Sequence, residues 1–277
     1  MILDLDIGNA LSKWRLKDPI NNEVRSRGSV WTSEKWRPGR DFPDLNTIEA
    51  VRISSVAEAA LFKDFLDILR CEVDNIHIAR STRVALGVTN GYEDPRQLRV
   101  DRWLGSLAGY QLAGGCCVVD CGSALTIDFV LPGGRHLGGY VLPGIRLMKE
   151  ILQLGTRNVA IELDSEAEAL LAPGRRTIEA VNHGIYIAAI SAIDRLYLEV
   201  CARENKALPL LLTGGDAKVI AGGVHAPHAI WPDMVYGGLE ACFPLTAAER
   251  AGQMSGAPNV PELINLEAMK ASILLNK

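Results

Sequence analysis

One short pattern occurs twice in this chain, and it restricts the possible folds more than any other feature. The first copy is Ile2-Leu3-Asp4-Leu5-Asp6-Ile7-Gly8-Asn9-Ala10-Leu11-Ser12-Lys13-Trp14. The second is Cys117-Val118-Val119-Asp120-Cys121-Gly122-Ser123-Ala124-Leu125-Thr126-Ile127-Asp128. Each reads as an apolar strand ending in an acid, a turn on Gly with a small polar residue, and a second strand. An acid at a strand end can hold a metal, directly or through water. Gly lets a phosphate approach the backbone, whose N–H groups are natural donors. Two such hairpins in one chain suggest a nucleotide gripped by two related halves.

The residues between and after the copies alternate in period. Val51–Val56 alternates apolar and polar as a half-buried strand does, Ala59–Leu69 carries apolar residues at helical spacing, and Ile76–Ala79 is a further strand. Strand, helix and strand in succession imply a crossover unit and the α/β class. Arg27–Asp44 is polar, holds Trp31 and Trp36, and reads as a surface loop or short helix.

A helix is predicted over Leu98–Leu112, with Leu104, Leu107, Ala108 and Leu112 on one face. Asp101 and Arg102 fall in its first turn, after a loop that carries Tyr92. Asp complements the helix dipole there, whereas Arg gains nothing from it. The pair therefore reads equally well as a solvated helix start and as a functional group. Further on, Pro143-Gly144 precedes a helix from Ile145, and Thr177 can cap a long helix to about Cys201. Strand Pro209–Thr213 runs into Gly214-Gly215-Asp216, Ile230–Met234 reads as an edge strand, and Val235–Cys242 as the last core helix. The expected organisation is residues 1–112, residues 113–245 and a flexible tail from 246 to 277. In that tail, Glu262–Leu275 has apolar spacing for one short helix.

Composition removes several classes of function. Twenty-nine basic against 33 acidic residues leave a net charge of −4, which disfavours non-specific binding to nucleic acid or anionic membranes. The apolar runs are too short to span a bilayer. No basic stretch leads into an apolar one at the start, so a cytoplasmic location is expected. The six cysteines are scattered and read as reduced core thiols. Cys117 and Cys121 lack zinc-ligand spacing. Pro227 separates His225 from His228 with no third ligand nearby, so neither pair reads as a metal site.

Set side by side, the motifs resemble those of the type III pantothenate kinases, the family also known for Bvg accessory factor proteins. The resemblance rests on Asp6-Ile7-Gly8-Asn9 with Lys13, Gly91-Tyr92 with Pro95, and Val100-Asp101-Arg102-Trp103. It continues through Asp120-Cys121-Gly122-Ser123-Ala124, Gly138-Gly139 with Pro143-Gly144, and Thr213-Gly214-Gly215-Asp216. These occur in family order over roughly residues 1–243. The resemblance implies duplicated ribonuclease H-like domains of the acetate-and-sugar-kinase/actin-like ATPase superfamily, facing across an ATP cleft. It implies phosphorylation of the primary hydroxyl of pantothenate, the first step of coenzyme A synthesis, by a homodimer. The cofactors implied are Mg²⁺ with ATP, and K⁺ or NH₄⁺.

Carried onto matching positions, the family roles make Asp101 the base and place Asp6 near the Mg²⁺. ATP would meet the hairpin Asp6, Ile7, Gly8, Asn9, Ala10, Leu11, Ser12 and Lys13, together with Ser123, Gly214 and Gly215. Pantothenate would meet Tyr92, Arg99, Val100, Asp101, Arg102 and Thr177, the last from the other subunit. Asp120 would bind the monovalent cation. Ala10 stands where the family usually has Thr or Ser, Ser123 where it has Thr, and Arg99 where it often has Gly. A non-catalytic regulatory protein on the same fold is the alternative, suggested by Ala10 and the added tail; another kinase or phosphatase of the superfamily is a third reading.

Overall fold

The computed structural model describes residues 1–33, 39, 42–155 and 172–250. Trp36, the acidic stretch Glu162–Leu170 and the helix expected at Glu262–Leu275 lie outside the described residues. In chain order the elements are strands β1 (Ile2–Ile7), β2 (Leu11–Lys17), β3 (Val24–Trp31) and β4 (Ala50–Ser55), then helix α1 (Ala59–Glu72). They continue with β5 (Ile76–Ile78), the two-residue strands β6 (Val84–Ala85) and β7 (Val88–Thr89), and α2 (Val100–Ala113). Next come β8 (Cys116–Cys121), β9 (Ala124–Val130), β10 (His136–Pro143), α3 (Ile145–Gly155) and α4 (Thr177–Glu204). The last are β11 (Leu210–Thr213), α5 (Ala217–Ala221), β12 (His228–Ile230) and α6 (Met234–Cys242).

These elements form two compact units, residues 1–112 with 233–250, and Ala113–Pro232. Each unit holds one five-stranded mixed sheet. The orders are β3-β2-β1-β4-β5 in the first and β10-β9-β8-β11-β12 in the second. In both, the first three strands are antiparallel neighbours and the last two join in parallel. The order is the ribonuclease H-like one, so the hairpin repeat seen in the sequence is the visible part of a whole duplicated sheet.

Alternation along β1 decides how the first sheet is used. Leu3, Leu5 and Ile7 point to one face, where they pack with Val51 and Ile53 of β4 and with Phe65, Leu66 and Leu69 of α1. Each such side chain contributes ~1.5–3 kcal/mol by its burial. The period of two then forces Asp4 and Asp6 onto the opposite face. In the second unit Val119, Cys121, Ile127 and Phe129 pack against Ile185, Ala189, Ile190, Ile193 and Tyr197 of α4.

Several expectations change. Arg27–Trp31 is not loop but the second half of β3, an edge strand. Its charged, polar sequence protects an unpaired edge, and that polarity hides the strand from pattern reading. Gly28 there lies under the Trp14 indole, where a Cβ would come within 2.5 Å of the ring. Helix α4 is capped by Arg176 in a reciprocal pair with Glu179, and Thr177 is its first residue. The strand expected at Ile230–Met234 is β12, which starts two residues earlier, at His228, and is over before Pro232.

Helix α6, which the sequence placed with residues 113–245, packs on β1 and β4 of the first unit. It crosses α2 closely: a Cβ on Gly238 would lie 2.4 Å from the Leu104 carbonyl oxygen. Tyr236 and Leu239 join Ala79, Val100 and Leu104 in one core. An apolar helix face does not itself say which core it fills.

The start of the expected flexible tail is also anchored. Thr246 and Glu249 form a capping box, with Glu249 N–H donating to Thr246 Oγ1 at 3.0 Å and Thr246 N–H to Glu249 Oε2 at 3.1 Å. The buried Glu249 carboxylate accepts from Lys17 Nζ at 3.0 Å and from Arg52 Nη1 at 3.1 Å. Arg52 and Arg15 both bind Asp4, and Glu240 of α6 pairs with Arg15 and Lys17. The polar face of the sheet is thus filled by a buried charge network. The six cysteines are unpaired, and burial pushes the thiols of Cys116, Cys117 and Cys121 up. Among the described residues no helix is long and apolar enough to cross a membrane.

Candidate active site

In the first unit the site grows from the end of β1. Asp6 is paired in register with Lys13 on β2 and with Ser54 on β4. The turn is tight: Gly8 N–H donates to the Leu11 carbonyl at 3.2 Å, and a Cβ on Gly8 would sit 2.6 Å from that oxygen. Asn9 and Ala10 are exposed at the tip, while Ile7 belongs to the core.

Thr32, just past β3, ties the loop down. Its N–H donates to Ala10 O at 2.9 Å and its hydroxyl to Gly8 O at 2.8 Å, and it shares a 2.8 Å hydrogen bond with Ser12 Oγ. The Ser12 hydroxyl is therefore turned inward to Thr32, a partner that no local pattern singles out.

The Asp6 carboxyl is pushed up to about 6 by burial first and by the negative charge of Asp101 second; Lys13, the Ser54 hydroxyl and Arg99 pull the other way. The charge of Asp101, in the first turn of α2, thus acts on the Asp6 carboxyl. Asp101 Oδ1 accepts from the Arg102 N–H at 2.8 Å, and Oδ2 from Arg99 Nη2 at 3.1 Å. The half-exposed Arg99, a departure from the family pattern, serves as the ion-pair partner of Asp101.

Arg102 is buried and donates through Nη1 to Tyr92 Oη at 3.0 Å, with its guanidinium carbon 5.8 Å from the ring centre. The Tyr92 loop is shaped by Arg83, which donates to the carbonyls of Asn90 (3.1 Å), Tyr92 (2.7 Å) and Glu93. Buried Asn90 accepts the Tyr92 N–H through Oδ1 at 3.0 Å. Asn90-Gly91 reads as a turn in the sequence, whereas Arg83 gave no such signal. Val100 faces the core beside Leu104.

The second unit repeats the geometry with other side chains. Asp120 is paired in register with Thr126 on β9 and Thr213 on β11, the places held by Lys13 and Ser54 around Asp6. Backbone crowds its carboxylate. Gly214 has φ of +93°, and a Cβ there would lie 2.5 Å from Asp120 Oδ1; on Gly122 it would lie 3.3 Å away. Gly144 packs so close that its Cβ would be 2.3 Å from Gly122 O, and its N–H donates to Ser123 O at 3.2 Å.

Beside Gly215 the space is open, and Ser123 is exposed. Thr177 stands exposed at the first position of α4. Burial raises the Asp216 carboxyl and Lys149 opposes it; the buried Lys149 lies 5.8 Å from the Tyr186 ring centre. His225 Nδ1 binds Asp194 at 2.8 Å and pins a loop.

No cluster of three or more His, Cys, Asp or Glu among the described residues could hold a metal by itself. A Mg²⁺ ion does not need one, since it keeps several waters and takes one or two carboxylates with substrate phosphates. Asp6 and Asp101 meet that requirement. The buried hydroxyls of Ser54 and Tyr236, on the elements that flank Asp6, have no hydrogen-bond partner and add polar capacity there.

Comparison with known proteins bears on these residues. The sequence profile of the type III pantothenate kinases matches residues 2–199. A type III pantothenate kinase of Chromohalobacter salexigens is 68% identical over 99% of this chain and 98% of its own. One from Pseudomonas putida is 35% identical over 88% of this chain and 100% of its own. Among solved structures, a conserved protein of the Baf family of transcriptional activators from Campylobacter jejuni superposes with a TM-score of 0.51 at 20% identity, over 86% of this chain and 95% of its own. That likeness bears on the fold alone. The chain belongs to the type III pantothenate kinase family.

Proposed function

We propose that this chain transfers the γ-phosphoryl group of ATP to the primary hydroxyl of pantothenate, giving 4'-phosphopantothenate in the first step of coenzyme A synthesis. The observation that carries the reading is the buried Asp6 at the end of β1, on which the charge of Asp101 at the start of α2 acts, in a chain of this family. Phosphoryl transfer asks mainly for positioning and charge neutralisation. Mg²⁺ bound with ATP supplies neutralisation of the phosphate oxygens, and Asp6 would hold it from the end of β1.

The chain's own groups do the rest. The Lys13 ammonium, in register with Asp6, attracts the phosphates to the Gly8–Leu11 turn that Thr32 holds in place. Asp101 orients the pantothenate hydroxyl through a carboxylate oxygen and takes its proton late in the transfer. The peptide N–H of Arg102 and the Arg99 guanidinium keep that carboxylate fixed. Arg102, held by Tyr92, presents its planar guanidinium to the substrate carboxylate.

In the second unit, Ser123 and the open face of Gly215 would receive the nucleotide. Asp120, closed in by Gly122 and Gly214, would hold K⁺ or NH₄⁺. The active form would be a cytoplasmic homodimer in which Thr177 of one copy reaches the pantothenate of the other. The test is to combine the protein with ATP, Mg²⁺ and pantothenate, with and without K⁺, and to look for phosphopantothenate. Product that needs K⁺ and vanishes in Asp101→Asn is expected. ATP bound without turnover, or a full rate in that variant, overturns the reading.

A further inference from the structure

We propose that Tyr236 is a positioning residue for this reaction, its buried hydroxyl acting with that of Ser54 to orient the Asp6 carboxylate toward the metal. The proposal rests on the kinase reading above. Helix α6 covers the polar face of β1 and β4, the face on which Asp4 and Asp6 both stand. Asp233 fixes the start of that helix by pairing with Arg15 at 3.4 Å and Arg27 at 3.2 Å. Tyr236, in its first turn, lays its ring over the Arg15 guanidinium, 4.6 Å from carbon to ring centre. Arg15 is the register partner of Asp4 and binds it at 2.7 Å, so the ring lies beside Asp4 and the next acid on the same face is Asp6.

The side chain is 8% exposed, yet its hydroxyl has no hydrogen-bond partner. Ser54, the parallel-strand neighbour of Asp6, is fully buried and its hydroxyl is likewise unpartnered. An orphaned buried hydroxyl is destabilising, and a fold that retains two of them near one carboxylate needs a return for it. The charge of Asp6 is the largest acting on the Tyr236 hydroxyl, ahead of that of Asp4. No hydrogen bond of good geometry joins either hydroxyl to another group, while the Ser54 hydroxyl already lowers the Asp6 carboxyl; a bridging water, which these polar groups together can satisfy, completes the link to Tyr236. Groups behind a metal-binding carboxylate set its orientation and basicity, and their loss typically weakens metal affinity tenfold or more.

The test uses the full-length protein and the variants Tyr236→Phe and Ser54→Ala. Three readouts are taken: Mn²⁺ binding without substrates, followed by water-proton relaxation; urea unfolding; and kinase kinetics against Mg²⁺. Tyr236→Phe is expected to weaken Mn²⁺ binding five- to tenfold and to raise the Mg²⁺ concentration needed for half-maximal rate. Its urea midpoint should stay level or rise, because an unsatisfied buried hydroxyl has been removed. Ser54→Ala should move the metal readouts the same way. Wild-type Mn²⁺ affinity in both variants overturns the proposal, as does a fall in stability with no change in metal dependence. If the wild-type chain binds Mn²⁺ but makes no phosphopantothenate, the kinase reading fails while the Mn²⁺ comparison still decides the role of Tyr236.

Discussion

Asp4 and Asp6 lie two residues apart on one face of β1, and the fold drives their carboxyl groups in opposite directions. Both lose water on folding. At Asp4 burial is outweighed by Arg52 and Arg15, which bind it at 2.6 and 2.7 Å, and its pKa is lowered. At Asp6 burial and the charge of Asp101 prevail over Lys13, Ser54 and Arg99, and its carboxyl is raised to about 6. One acid is a buried ion-pair partner, and the other is the one proposed above to hold the metal.

The raised Asp6 carboxyl makes the site a source of instability above its pKa. The folded form binds the proton more tightly than the unfolded chain, so the acid's penalty is absent below the unfolded value of 3.8, develops as pH rises, and is complete above about 6. Asp6→Asn is therefore expected to stabilise the protein at pH 7.5 by ~1–2 kcal/mol, after allowance for partial exposure, while abolishing turnover. Urea unfolding at pH 7.5 and pH 4.5 checks this: the gain should shrink at the lower pH.

Asp4 and Glu249 carry the opposite sign. Burial acts to raise each, but the neighbouring cations more than offset it and both are lowered: Arg52 and Arg15 at Asp4, Arg52 and Lys17 at Glu249. Their stabilisation is fully present above the unfolded values of 3.8 and 4.5 and is lost as pH falls below them. A protein with Asp6→Asn should show this acid loss without the opposing contribution of Asp6, and unfolding midpoints from pH 6 down to pH 3 will display it.

Glu249 gives the C-terminal segment a measurable anchor. Glu249→Ala leaves Lys17 and Arg52 short of a buried partner and is expected to cost about 3 kcal/mol, the scale for breaking a buried ion pair. Ending the chain after Leu245 should cost at least as much. Glu249→Gln, which keeps the capping hydrogen bonds, should cost less. Equilibrium denaturation of the three variants decides it.

Substrate handling separates Asp101 from Arg102. Asp101→Asn is expected to lower kcat by a hundredfold or more with little change in the KM for pantothenate. Arg102→Lys loses the planar fork and the Tyr92 contact, and should raise that KM about tenfold with a smaller effect on kcat. Steady-state kinetics with pantothenate varied at saturating ATP distinguish the two patterns.

The second unit offers a backbone test. Gly214→Ala places a Cβ 2.5 Å from Asp120 Oδ1 at a φ of +93°, so the carboxylate or the turn must shift. Activation by K⁺ should weaken severalfold. Gly215→Ala, in open space, should leave K⁺ dependence as it was; rates measured against K⁺ concentration compare the two.

The sequence by itself determined the local pieces that obey a short-range rule. The strand–acid–glycine hairpins at Asp6 and Asp120, the helix carrying Asp101 and Arg102, and the α/β class follow from periodicity and turn chemistry within a dozen residues. Tertiary structure alone decided which side chains meet. Period two says that Asp4 and Asp6 share a face, but only the arrival of Arg52, 48 residues on, makes one a buried ion pair, and only α2 brings Asp101 to the other. Thr32, Arg83 and Tyr236 gave no local signal because each acts on backbone or charge distant in sequence. The polar β3 passed for loop because an edge strand needs charge rather than apolar alternation. Thr246-Ala247-Ala248-Glu249 has capping-box spacing but passed for the start of a flexible tail, because the burial of Glu249 depends on two cations that local sequence does not place beside it. Contacts across long separations are chosen by packing and charge compensation in the assembled fold, and no window of sequence contains both partners.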